Sequence, residues 1–341
     1  MKLTGIHIKN FKAIHEMKID NIENALILVG QNNTGKTTIL EAIRAAFGDY
    51  RISSEDFDGD SANIEMDLSL EFLDEDLKWL HQNGVVSQYK RYETWFEDFC
   101  KKLPSFSIKE NNEEGGALQF TFIAHRDGWV RYQDKEHKNN SCIPQIFPKI
   151  YYLDAERDLN QLQGDLLMLQ EDELLKRMRA DTCMFNQAKK CGHCFSCIGL
   201  IEKKSPAELD AFETAKLLDY KLYQLNLDEF AKKVNQNYKK NGGQDEILYS
   251  MNRDVERMLK VTTEIHNPAQ NLTRPVAKMG KGMRSIYMLS LLETYTGTKG
   301  RIPSILMIED PEIFLHPKLQ KVSGEILYRL SRKNQVIFST H

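Results

Sequence analysis

Gly30-Gln-Asn-Asn-Thr-Gly35-Lys36-Thr37 fits the pattern G-x-x-x-x-G-K-[ST]. Ahead of it, Ala25 to Val29 is a short, continuous apolar run, as expected of a strand buried on both faces. Behind it, Ile39, Leu40, Ile43, Ala46 and Phe47 recur on one helical face. Strand, glycine loop and helix in that order make a phosphate cradle. The glycines let the backbone turn tightly and aim successive N–H groups at phosphate oxygens. The helix start adds its partial positive charge. A chance match at the fixed positions arises in on the order of one chain in a hundred of this length, and the flanking strand and helix lower that figure. The pattern assigns Gly30, Asn32, Asn33, Thr34, Gly35, Lys36, Thr37 and Thr38 to a loop that holds ATP. Lys36 is expected at the β- and γ-phosphates, and the Thr37 hydroxyl on Mg²⁺.

Such a cradle needs an acid on a neighbouring strand. Ile305-Leu-Met-Ile-Glu309-Asp310 supplies a buried apolar strand ending in two carboxylates. Glu309 is expected to hold the Mg²⁺ shell and Asp310 to orient the attacking water. Taken alone, those residues also fit a strand capped by a surface acidic turn. Met279-Gly280-Lys-Gly282-Met-Arg284-Ser285 precedes an apolar helix running through Leu292. Its two glycines offer N–H groups to an anion, or simply make a turn. His341 ends the strand Gln335 to Thr340, where it can meet a γ-phosphate or merely close the chain.

The chain has 341 residues, 41% of them hydrophobic, enough for one large core or two smaller ones. Its formal net charge of −3 excludes bulk basic character, so any nucleic-acid contact must come from a local patch. The apolar runs are far too short to span a bilayer, and the start reads as a strand rather than a signal peptide. Four of the six cysteines crowd into Cys183 to Cys197, unlike a secreted disulfide framework, which points to the cytoplasm.

The periodicity predicts an opening pair of strands through Ile6, Ile8, Phe11, Met17 and Ile19. A half-buried strand follows over Ile64 to Phe72, then a surface-bearing helical stretch over Leu77 to Leu103. Hairpin-like strands occupy Leu118 to Tyr132, and another short strand Lys149 to Leu153. Leu159 to Arg179 and Pro206 to Val261 then carry Leu, Lys, Glu and Asp at helical spacing. Alternating α/β character returns from about Val276. The expected organisation is an α/β head over residues 1–158 and 273–341, split by a helical insertion over 159–272.

At this point the motifs resemble a known family. Asn10-Phe11-Lys12, the loop at Gly30, the glycine motif at Met279 to Ser285, Ile308-Glu-Asp-Pro-Glu-Ile-Phe-Leu-His-Pro317 and Ser339-Thr-His341 occur in this order. Together they look like the ABC-type ATPase domain of OLD (overcoming lysogenization defect) family nucleases, which includes the ATPase of the Gabija anti-phage system. SMC and RecF-type ATPases share the first and last motifs. The resemblance implies an ABC-type P-loop NTPase head with an antiparallel β subdomain and an inserted helical arm for dimerisation. It implies a homodimer or higher oligomer in which ATP lies between two heads. The loop of one subunit would face Gly280, Gly282 and Arg284 of the other, with His341 at the γ-phosphate. Tyr151 to Asp158 looks like the family's strand-to-helix step, which makes Arg157 a weaker site candidate. Two departures stand out. Asp310 is one methylene shorter than the glutamate expected there, which suggests slow hydrolysis. The family's metal-dependent TOPRIM nuclease domain has no counterpart up to His341, so it is expected elsewhere.

Cys183-x7-Cys191-Gly-His-Cys194-Phe-Ser-Cys197 resembles one zinc knuckle, with Zn²⁺ held by the four thiolates in a structural role. The spacing of the last three also suits an iron–sulfur cluster, and free or redox-sensing thiols are the plainer reading. Lys176-Arg-Met-Arg179, Lys232-Lys233 and Lys239-Lys240 could touch DNA phosphates, though a solvated helix face is commoner. Two function classes remain. One is the ATPase domain of an ATP-dependent DNA endonuclease. The other is an SMC/RecF-like ATPase that controls DNA or a partner effector protein without cutting.

Overall fold

The computed structural model describes residues 1–108, 115–157, 178, 182–186, 189, 194–249, 263–297 and 302–341. The chain divides into two compact units, 1–162 with 276–341, and 163–275.

The first unit opens with β1 (Lys2–Phe11), β2 (Ile14–Ile19) and β3 (Ala25–Val29), then α1 (Lys36–Ala46). Next come β4 (Asn63–Leu73), α2 (Asp74–Gln82), α3 (Tyr92–Lys102), β5 (Phe106–Ile108), β6 (Gly115–His125), β7 (Val130–Gln133) and β8 (Lys149–Leu153). The second unit contributes α4 (Ile198–Ile201), α5 (Ala211–Asn226), α6 (Asp228–Lys240), β9 (Glu264–Asn267) and β10 (Leu272–Pro275). The chain then completes the first unit with α7 (Lys281–Gly297), β11 (Ser304–Ile308), α8 (Pro317–Ser331) and β12 (Gln335–Thr340).

Two sheets build the first unit. One is antiparallel, in the order β2-β1-β4-β6-β5 with β7 on β6. The other is parallel, in the order β3-β12-β11-β8. Alternation decides the first sheet: Ile64, Met66, Leu68, Leu70 and Phe72 point inward from β4 and are buried, while the residues between them face outward. The second sheet needs no alternation at its centre, and all of β11 is buried. Helix α1 lays Ile39, Leu40, Ile43 and Ala46 into the same core. One side chain stitches the two sheets. The buried Gln335 amide bonds Leu3 N–H and C=O at 2.8 and 2.7 Å, and Glu23 C=O at 2.8 Å, so every group it displaces from water is satisfied.

Three expectations change. Strand β3 is not buried on both faces: it is the edge of the parallel sheet, with Ile27 51% and Val29 70% exposed. The stretch Leu77 to Leu103 is two helices broken at Asn83 to Arg91, and its aromatic face is core. Trp95 and Phe99 are fully buried and pack on each other at 5.0 Å between ring centroids. The insertion is not wholly helical, because β9 and β10 form an antiparallel hairpin. That hairpin is largely exposed, so no alternation of apolar residues announced it.

Within the second unit, Asp210 caps α5 by accepting from Glu213 N–H at 2.7 Å, and Glu213 returns a bond to Asp210 N–H at 3.2 Å. Ile198 and Ile201 of α4 bury with Cys197 against Phe195, Leu217 and Tyr220. Residues 159–177, where a helix was expected, lie outside the described residues. No helix among the described residues is long and apolar enough to cross a membrane.

Candidate nucleotide-binding site

The parallel register brings four strand ends together. Val29 pairs Thr340, Ile308 pairs Phe338, and Leu153 pairs Ile308. The segments leaving those ends therefore share one edge of the sheet, where open α/β sheets bind ligands. They are the Gly30 loop, His341, the Glu309-Asp310 turn and Asp154 to Arg157.

In the loop, Gly35 lies at φ 90° and precedes α1 with no side chain capping the helix start. Its N–H groups are thus left for an anion. Asn33 also takes a positive φ of 66°. A Cβ on Gly30 would meet Thr34 Oγ1 at 2.7 Å, so the tight turn requires glycine there. The Lys36 ammonium donates to the Gly30 and Gln31 carbonyls at 2.5 and 2.9 Å. It folds over the loop it is expected to serve and must swing to reach a phosphate.

Glu309 is 7% exposed. Its Oε2 accepts from Ala155 N–H at 3.2 Å, while Oε1 is buried with no hydrogen-bond partner. A buried carboxylate oxygen without a partner is costly, and a cation answers that cost. Mg²⁺ takes one or two carboxylates and completes its shell with phosphate and water, so the Glu309 carboxylate fits that ion. Burial, then the neighbouring Glu309 carboxylate, raise the Tyr152 hydroxyl above its usual range.

Asp310 takes φ 37°, a left-handed conformation that short polar side chains tolerate. Ser339 on β12 accepts from its N–H and donates to its Oδ1. His341 Nε2 stands 3.9 Å from Asp310 Oδ2. Glu312 Oε1 accepts from Thr340 Oγ1 at 2.6 Å and from His341 N–H at 3.1 Å, fastening the end of β12 to the acidic turn. This set gathers a glycine loop, the buried Glu309 carboxylate, and the Asp310 carboxylate 3.9 Å from the His341 imidazole.

The model of the AAA ATPase domain matches residues 1–341. The chain belongs to this ATPase family. An OLD nuclease of Thermus scotoductus is 22% identical over 99% of this chain and 58% of its own length. An uncharacterised protein of Methanocaldococcus jannaschii is 50% identical over 32% of this chain and 47% of its own length. The chain thus spans about half the length of these two curated relatives. A solved SMC head domain derived from Pyrococcus furiosus, bound to the C-terminal domain of ScpA, covers 99% of this chain and 89% of its own, with 15% identity and a TM-score of 0.48.

The glycine motif of the ATPase divides in two. Gly280 has nothing within 4 Å of a built Cβ and faces open space. Gly282 is packed: its Cβ would meet the Phe314 carbonyl oxygen at 2.6 Å. Arg284 turns back on its own loop and donates to the Ala277 carbonyl at 2.8 Å. Lys281 lies 4.5 Å over the Phe314 ring and 3.5 Å from Glu156.

Arg157 lies at the centre of these pieces, fully buried and at φ 59°. Its Nη2 donates to the Glu309 and Asp310 carbonyls at 2.8 and 2.7 Å, its Nη1 to the Asp154 carbonyl, and its Nε to Ser285 Oγ at 3.0 Å. Burial lowers its pKa from the ordinary value, and Asp154, Asp310, Glu309 and Glu312 act in the opposite direction. Sequence reasoning missed Glu312, Ser339 and Ser285. The first two stand inside motifs already noted, Glu-Asp-Pro-Glu312 and Ser339-Thr-His341. Ser285 closes the glycine motif Met279 to Ser285, yet nothing in that motif marked it as a partner of Arg157.

Cys191 lies outside the described residues. Of the other three cysteines, Cys197 is buried at the start of α4, and Cys194 Sγ is 3.1 Å from Ser196 Oγ, whose hydrogen bonds lower the thiol pKa. Among the described residues, no three His, Cys, Asp or Glu side chains gather to hold a metal. Lys232 pairs with Asp228 at 3.0 Å, and Lys176, Arg177 and Arg179 lie outside the described residues.

Proposed function

We propose that this ATPase domain binds and hydrolyses MgATP at a composite site completed by a second copy of the chain. Its closure would gate DNA cleavage by a nuclease domain outside this sequence. The observation that carries the reading is the buried Glu309 carboxylate, whose Oε1 has no hydrogen-bond partner within reach among the described residues, where the Gly30 loop, Asp310 and His341 converge. In this reading Lys36 binds the phosphates, Thr37 and Glu309 hold Mg²⁺, Asp310 orients water, and His341 contacts the γ-phosphate. Bound Mg²⁺ would screen phosphate charge. The open face at Gly280 supports a contact across a head-to-head interface, because no described residue fills that space. The similarity to an OLD nuclease supports the nuclease assignment, while an anti-phage role in the cytoplasm rests on the motif resemblance alone.

The test is twofold. Asp310→Asn protein with MgATP should sediment as a dimer, and without nucleotide as a monomer. The longest natural form of the chain should nick plasmid DNA in an ATP-dependent manner. ATP-dependent dimerisation without cleavage would instead favour an SMC/RecF-like ATPase acting on DNA or a partner effector.

A structural zinc site at Cys183, Cys191, Cys194 and Cys197 is a separate proposal, supported by spacing alone. Metal analysis of the purified protein tests it: about one zinc per chain supports it, iron with sulfide supports a cluster, and neither metal leaves free thiols.

A further inference from the structure

Arg157 bonds to both halves of the nucleotide machinery and belongs to neither. Its guanidinium presents five donors in a rigid plane, and a charge so deeply buried persists only where those donors are met. Here one edge of the fork grips the backbone of the acidic turn, through the Glu309 and Asp310 carbonyls. The Nε grips Ser285, in the first turns of α7, across 128 residues of sequence. The remaining contact, to the Asp154 carbonyl, anchors the arginine to the end of β8.

These contacts have a mechanical consequence. In the proposed reading, the acidic turn would meet Mg²⁺ and water in its own head. The start of α7 carries Gly280, which faces outward. A shift of the Glu309 and Asp310 carbonyls when the cation binds must either break the bonds to Arg157 or move it. Moving it draws on the Ser285 hydroxyl and hence on the start of α7. The close fit of Gly282 on the Phe314 carbonyl makes a second, steric link between the same two segments, so they have little freedom to slip.

We propose that Arg157 is a positioning residue that couples the acidic turn of one ATP site to the outward glycine face which completes the second site. Nucleotide occupancy in one head thereby sets the geometry offered to its partner. This rests on the composite-site reading above. The coupling makes hydrolysis cooperative in ATP, and it needs no contact between Arg157 and nucleotide.

Ser285→Ala tests it, because that variant cuts only the link to α7 and leaves the fork on the acidic turn. ATP affinity should stay within about twofold, the thermal midpoint within a few degrees, kcat should fall about five- to tenfold, and the Hill coefficient should drop towards one. Arg157→Lys keeps the charge and loses the fork. Adding Ser285→Ala to it should deepen the loss in kcat little, since the lysine has already lost the bond to Ser285. A folded Ser285→Ala protein with wild-type kcat and wild-type cooperativity overturns the coupling while leaving the ATPase reading intact. If Arg157→Lys does not fold, the serine variant alone decides. A wild-type protein that hydrolyses ATP with a Hill coefficient of one removes the composite site and the coupling together.

Discussion

Ser339 holds Asp310 twice: its Oγ accepts from the Asp310 N–H at 3.0 Å and donates to Asp310 Oδ1 at 2.8 Å. The last strand of the parallel sheet thus fixes both the left-handed backbone of that aspartate and the direction of its carboxylate. A short acid reaches a water only if it is aimed well, and Ser339 does the aiming. Ser339→Ala should lower kcat about tenfold, the effect of losing roughly 1.4 kcal/mol of orientation in the transition state. Nucleotide affinity should hardly change. Steady-state kinetics together with a binding titration separate the two, and a matched loss of affinity would count against this role.

Asp310→Asn keeps the shape and both contacts to Ser339 but removes the charge. If Asp310 orients the attacking water, kcat falls on the order of a hundredfold or more while ATP still binds. Single-turnover hydrolysis measures this directly. A loss of less than about threefold would mean that another group handles the water.

The two glycines of the 280–282 motif should separate cleanly. Gly282→Ala forces a methyl against the Phe314 carbonyl and should cost about 1–3 kcal/mol of stability. Gly280→Ala meets nothing within 4 Å and should melt like wild type, yet slow ATP turnover if a second head docks there. Thermal melts and turnover on both variants are enough. A destabilised Gly280→Ala protein would mean that Gly280 serves its own head's packing.

The Lys12 ammonium bridges Glu41 of α1 at 2.6 Å and Asp56 at 3.4 Å, and Tyr50 donates to Asp56 at 3.0 Å. Burial disfavours the Asp56 carboxylate, but bonds from Ser53 and Tyr50 and the Lys12 charge outweigh it and hold its pKa below the usual range. A depressed acid stabilises the fold above its unfolded pKa of about 4 and loses that effect as pH falls through the folded value. Burial also works against the Lys12 charge, yet Glu41 and Tyr50 raise its pKa overall, so its contribution persists until strongly alkaline pH. Asp56→Asn should therefore cost about 1–2 kcal/mol in urea melts at pH 7. The difference should shrink below about pH 4. An equal gap at both pH values would contradict the ionic reading.

Much of the fold was legible because its signals are local. The alternation in Ile64 to Phe72 suggested a half-buried strand, and the apolar run Ile305 to Ile308 a buried one, as found. The Gly30 loop announced itself by spacing. Three features were hidden because they depend on partners distant in sequence. The exposure of Ile27 and Val29 follows from β3 lying at an edge, which no window of residues encodes. The β9–β10 hairpin is too exposed to need alternating apolar side chains. Arg157 was legible only as a weaker site candidate through the resemblance at Tyr151 to Asp158, and only the fold encloses it between Ser285 and the acidic turn. The roles of Gly282 and Lys36 were half visible: their types follow from the motif, but the contacts they make in this conformation do not.

The most direct measurement is MgATP turnover by the wild-type protein and Lys36→Ala, prepared side by side and matched by thermal melt. Wild type should release phosphate from ATP at a steady rate. The variant should show none above background, with weakened ATP binding, because its loop has lost the cation that meets the β- and γ-phosphates. Equal turnover by the two proteins would contradict the assignment of the Gly30 to Thr37 loop as the nucleotide site.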